Sequence, residues 1–165
     1  MASSRVSKPA NTNREWKAST MREIITEIEI AAPPERVWAI LTDLPAFPSW
    51  NPFIRSIAGR LIKGDRIDVL ISPPGQKAMR FRPVLLAVIS SSELRWRGSL
   101  GFRGLFDGEH SFQLRSLSAN RTQLLQRERF SGLLVPLIMR GEMLIATRRG
   151  FTAMNEALKS KAEAS

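Results

Sequence analysis

Three side chains carry the chemical potential of this chain: His110, Gln126 and Glu128. Around His110, its only histidine, Phe106, Gly108, His110, Phe112 and Leu114 share one side of an alternating segment. Asp107, Glu109, Gln113 and Arg115 take the other. A period of two belongs to a strand. In 122–130, Arg127 and Arg129 mark the water side, which turns Leu124, Gln126, Glu128 and Phe130 inward. In 94–101, Arg95 and Arg97 do the same and turn Leu94, Trp96, Gly98 and Leu100 inward. The resulting inner surface is aromatic and aliphatic, with His110, Gln126 and Glu128 as its polar groups. A carboxylate beside a histidine can act as general acid or base. Both also have plainer readings: His110 as a hydrogen-bonding partner of a neighbour or a ligand's polar head, Glu128 as the mate of an arginine at the sheet's rim. A filled hydrophobic core would show the same alternation.

Other chemistries find no support. One histidine and no cysteine cannot build the usual zinc sets, so neither metal nor cofactor is expected. There is no Gly-x-Ser-x-Gly elbow. The Pro73-Pro74-Gly75-Gln76-Lys77 segment is a turn without Walker spacing. At 165 residues the chain suits one domain, and 43% hydrophobic with 24% charged residues is ordinary for a globular protein. The net charge of +10 allows attraction to phosphate, anionic lipid or an acidic partner. The apolar runs at 84–89 and 133–139 fall far short of the ~20 residues a membrane-spanning helix needs. No signal-peptide core is evident, and a cytoplasmic location is expected. Residues 1–20 read as a disordered basic tail, with Arg5, Lys8, Arg14 and Lys17 against Glu15. Their composition also loosely resembles an organelle transit peptide.

Regular elements must position the inward residues. Residues 22–30 alternate, Ile24, Ile28 and Ile30 opposite Glu23, Glu27 and Glu29, as a half-buried strand does. Pro34 suits the first turn of a helix to about Thr42, whose apolar stripe is Val37, Trp38 and Leu41. A short second helix precedes Trp50-Asn51-Pro52. Strands are then expected at 53–61, 66–71, 79–89, 94–101, 105–117 and 122–130, with turn signals between them. Such short connections make an antiparallel meander. Gly132 stops the last strand. From Pro136 onward, Leu137, Ile138, Gly141, Leu144, Ile145, Arg148, Phe151, Met154 and Leu158 recur at helical spacing. The expectation is an α+β fold: a seven-stranded curved antiparallel sheet wrapped around a long C-terminal helix, with two short helices after strand 1. The domain would span 21–160, with 161–165 as a tail.

This pattern resembles the helix-grip superfamily (START lipid-transfer, pollen-allergen-like and polyketide cyclase/dehydrase-like proteins, the SRPBCC domain). The resemblance rests on Pro34-Glu35-Arg36-Val37-Trp38, on Asp43-Leu44-Pro45 leading to Trp50-Asn51-Pro52-Phe53, on 108–114 (GEHSFQL) and on 127–134 (RERFSGLL). It implies a cavity between sheet and terminal helix that takes a small hydrophobic molecule such as a lipid or polyketide. On that reading the ligand-binding residues would be Trp50, Asn51, Phe53, Trp96, Phe106, His110, Phe112, Gln126, Glu128, Phe130, Met139 and Met143. The methionines would supply an adaptable wall. A second reading is a cyclase- or dehydratase-like enzyme using Glu128 and His110. A third is an interaction module, with Arg80, Arg82, Arg95, Arg97, Arg115, Arg127 and Arg129 on one outer sheet face meeting anionic membrane or RNA. Against it, Glu109 and Gln113 fall on the same face, which reads equally as solvated surface. The absence of an RNA-reading motif argues against nucleic acid. Oligomeric state stays open.

Overall fold

The computed structural model describes residues 20–164, so the tail reading of 1–20 falls outside it save for Thr20. The elements run β1 (Met21–Ile30), α1 (Pro34–Thr42), a 3-10 turn (Leu44–Ala46), α2 (Phe47–Trp50), β2 (Ile54–Ala58), β3 (Asp68–Ile71), β4 (Met79–Phe81) and β5 (Val84–Ile89). Then come β6 (Glu93–Ser99), β7 (Asp107–Ser118), β8 (Arg121–Ser131), α3 (Val135–Ile138) and α4 (Gly141–Glu163). This is the expected α+β layout of a curved antiparallel sheet around a long terminal helix.

The strand count differs from expectation: eight strands stand in two sheets, ordered β1-β8-β7-β6-β5 and β2-β3-β4. Pro83 is the reason that 79–89 is not one strand. Proline has no N–H to give a ladder. Its carbonyl instead accepts from the Ile67 N–H at 3.0 Å, while the Leu85 N–H donates to Asp65 O at 2.9 Å. The chain thus passes from one sheet to the other at Pro83, and the 65–67 segment stitches them into one curved wall.

Register puts the outer face in rows of alternating charge. Arg97, Glu109, Arg129 and Glu23 lie side by side across β6, β7, β8 and β1. Arg95 pairs with Glu93 at 3.3 Å and Glu109 at 3.2 Å, and Arg127 pairs with Glu23. The seven arginines do not share one face, because Arg80 lies in the other sheet and Arg82, just beyond it, reaches Asp68 at 3.4 Å. Cross-strand pairing of opposite charges is what stabilises such a face.

The terminal helix is also broken where one helix was expected. Gly141 takes φ of +50° and Arg140 an extended conformation, so α3 and α4 are separate. The break resets the helical phase. Leu137 and Ile145 are left exposed, and the buried stripe of α4 is Ala146, Thr147, Gly150, Phe151, Met154, Asn155, Leu158 and Ala162. The small residues in that stripe let the helix sit close to what it covers.

The helix continues past Leu158 and closes on the start of the domain. Glu163 accepts from the Ala31 N–H at 2.6 Å and from Lys159 Nζ at 2.8 Å. These two bonds, the backbone one foremost, hold the Glu163 carboxyl below the usual carboxylate range. A carboxyl lowered by folding stabilises the folded state above its unfolded pKa of ~4.3 and loses that contribution as pH falls through and below this value. Thermal melts are therefore expected to place wild type above Glu163→Gln at neutral pH, with the two converging in acid.

Candidate functional site

The cavity lies against the inner sheet face. Three inward rows cross β6, β7 and β8: Leu94–Phe112–Gln126, Trp96–His110–Glu128 and Gly98–Gly108–Phe130. In the third row two glycines face each other, and where their own side chains would stand lie Pro83, over Gly98, and the Glu128 carboxylate, over Gly108. The cavity is walled by the sheet, by Val69, Ile71 and Phe81 of the second sheet, by Phe53 and Ile54, and by Thr147 and Phe151 of α4. Pro83, Ser99, Leu100 and Phe106 complete it. It offers about 90 Å³ to the centres of water-sized groups. One such group takes about 10–15 Å³ on this measure, so the space exceeds a single water site. Leu100, half in the lining and 45% exposed, marks the mouth.

The middle row carries the polar chemistry. Trp96 stacks on the His110 ring with centroids 5.0 Å apart and planes 13° from parallel, and Phe151 meets that ring edge-on at 5.1 Å. His110 Nδ1 is hydrogen-bonded to Glu128 Oε2. Its Nε2 accepts from Gln126 Nε2 at 3.3 Å, and the same amide reaches Met154 Sδ at 3.9 Å. Two acceptors, a ring nitrogen and a thioether, thus fix the amide with its NH₂ toward them. A carboxylate only accepts, so Nδ1–H is the donor to Glu128. Both ring nitrogens are spent on protein partners. The Glu128 carboxylate lines the cavity beside the His110 ring, its side chain 12% exposed. Its Oε1 lies where a Gly108 Cβ would stand, 2.6 Å away, so Gly108 is what makes room for the carboxylate.

Six of the twelve residues expected from the sequence line this cavity: Phe53, Trp96, Phe106, His110, Glu128 and Phe130. Gln126 stands behind His110, and Phe112 packs against it at 4.6 Å between ring centroids. Met139 is buried in the core and Met143 is packed against it, away from the lining. Trp50 lies against Phe47, with ring centroids 5.0 Å apart and planes tilted by 53°. Asn51 is a backbone clamp: its Oδ1 accepts from the N–H groups of Phe53 and Ile54 at 2.9 and 2.8 Å. The residues that sequence reasoning missed as lining, Ile54, Val69, Ile71, Phe81, Pro83, Ser99 and Thr147, come mostly from the second sheet. Nothing local signals which face of so short a strand as β3 or β4 meets a distant element. Thr147 was legible only as a helical residue four before Phe151.

Among the described residues no three His, Cys, Asp or Glu side chains converge to hold a metal ion, and no helix is long and apolar enough to cross a membrane.

Comparison with solved structures places this architecture among known folds. A START superfamily protein from Mycobacterium smegmatis superposes with a TM-score of 0.67 at 20% identity, covering 86% of this chain and 97% of that one. The Zhui aromatase/cyclase from a Streptomyces species gives 0.67 at 22% identity, covering 87% and 94%. A norcoclaurine synthase from Thalictrum gives 0.65 at 14%, covering 86% and 94%. At these identities the likeness is one of fold. No curated protein sequence matches. The sequence pattern described as "polyketide cyclase / dehydrase and lipid transport" matches residues 21–163, nearly the whole described domain. The chain belongs to that family, and with it to the helix-grip superfamily.

Proposed function

We propose that the protein binds a small, largely apolar molecule in the cavity between the sheet and α4, as a carrier or sequestering protein. The observation that carries this reading is the space itself, walled by six aromatic rings with one carboxylate among them. Burial of apolar ligand surface at ~25 cal/mol per Å² would supply the affinity, and Glu128 the orientation. The family description and the fold are consistent with such a role. Native mass spectrometry of freshly purified full-length protein is expected to show a one-to-one adduct that extracts into organic solvent. A bare mass, combined with no saturable binding of N-phenylnaphthylamine, would overturn the reading.

A second reading, a cyclase- or dehydratase-like enzyme, is favoured by one specific feature: Glu128 faces the cavity and is held by His110. Glu128 would then give or take the proton while His110 held its orientation. Identified ligand incubated with wild type and Glu128→Gln separates the two. Product from wild type alone supports catalysis, and unchanged ligand in both supports a carrier.

A further inference from the structure

Apart from Ser99, which is exposed, the polar side chains on the cavity wall offer a ligand acceptors rather than donors. Glu128 presents carboxylate oxygen. Thr147 Oγ1 donates its proton to Met143 O at 2.8 Å and so keeps only acceptor capacity. His110 spends Nδ1–H on Glu128 and Nε2 on Gln126, leaving no donor for a ligand. No lysine or arginine lines the space. An anionic headgroup, whether carboxylate or phosphate, would meet a carboxylate there with no cation to offset it, and a buried unpaired charge is costly. The walls complement the opposite charge. Trp96, Phe106 and Phe130 turn toward the same space as Glu128, and aromatic faces attract cations, more strongly where water is excluded.

We infer that the ligand carries a protonated amine on an apolar body, with the ammonium on the Glu128 carboxylate and beside the aromatic wall. This rests on the binding reading above and narrows it to a ligand class.

Phenethylamine, phenethyl alcohol and phenylacetate share one apolar body and differ in head group. Each is titrated near neutral pH into the full-length protein, with the ring signals of its single histidine read by NMR. The amine is expected to bind about tenfold more tightly than the alcohol, since a charge-assisted bond is about twice as strong as a neutral one. Phenylacetate is expected to bind most weakly. Glu128→Gln, close in shape, is expected to remove the amine's advantage over the alcohol, with an unchanged thermal melt reporting an intact fold. Gly108→Ala, whose Cβ displaces the carboxylate, is expected to do the same through geometry. Alcohol or phenylacetate binding as tightly as the amine would overturn the inference and leave the binding reading standing. An amine advantage that survives in Glu128→Gln would overturn it too. Binding of none of the three would count against both.

Discussion

Asn51→Ala is expected to destabilise the protein by at least about 2 kcal/mol and by up to about 6. Asn51 is 1% exposed, and its one oxygen serves two backbone donors, Phe53 N–H and Ile54 N–H. Alanine leaves both without a partner in a region water does not reach, and each orphaned buried donor costs about 1–3 kcal/mol. Those donors lie where α2 hands over to β2, at the point that aims Phe53 at the cavity. At about 2–4 °C per kcal/mol for a chain of this size, Tm should fall by at least about 4 °C. Asn51→Asp should not rescue this loss: an Oδ1 acceptor stays, but the second carboxylate oxygen takes the buried place of Nδ2, which has no protein partner, and a buried, poorly paired charge is costly. Urea denaturation of the three proteins checks this. Equal stability of wild type and Asn51→Ala would mean that the two N–H groups find other acceptors.

Gly150→Ala is expected to empty the site of ligand without unfolding the protein. By helix propensity alone the change should stabilise α4 by up to about 1 kcal/mol. Contact decides otherwise: an added Cβ would lie 2.2 Å from Phe53 Cδ2 and 2.7 Å from its Cε2. Overpacking of this kind costs about 1–3 kcal/mol. Phe53 is already held edge-on by Phe151, at 5.1 Å between centroids, and it lines the cavity, so the cavity is open space into which its ring can yield. A ring moved there occupies the ligand's place. Affinity for any cavity probe is expected to drop at least tenfold (about 1.4 kcal/mol), with Tm lowered by a few degrees. A raised Tm with unchanged affinity would show that the ring has room elsewhere.

The inward faces of β6, β7 and β8 were readable because they rest on a two-residue period and on arginines that will not point into a core. Trp96, His110 and Glu128 follow from that rule one strand at a time. Their meeting does not, since register is a relation between strands and no single segment encodes it. The same limit explains Asn51. As a sequence feature it stands beside Trp50 in a motif near the expected cavity, yet its side chain turns back onto its own backbone, as asparagine often does in a turn. Met139 and Met143 illustrate a different limit. Their facing depends on helical phase, and the break at Gly141 resets it.

Composition and periodicity alone determined the broad outcome: an α+β layout of a strand, a helical pair, a meander and a closing helix, with a mostly uncharged inner face. These are local properties, set by side chains against their immediate neighbours along the chain. Only the tertiary structure decided that a cavity lies against the inner face, that Gly108 makes room there for the Glu128 carboxylate, and that both ring nitrogens of His110 meet protein partners. Each of those depends on atoms distant in sequence arriving within a few ångströms, and packing at that distance is decided by the whole fold at once.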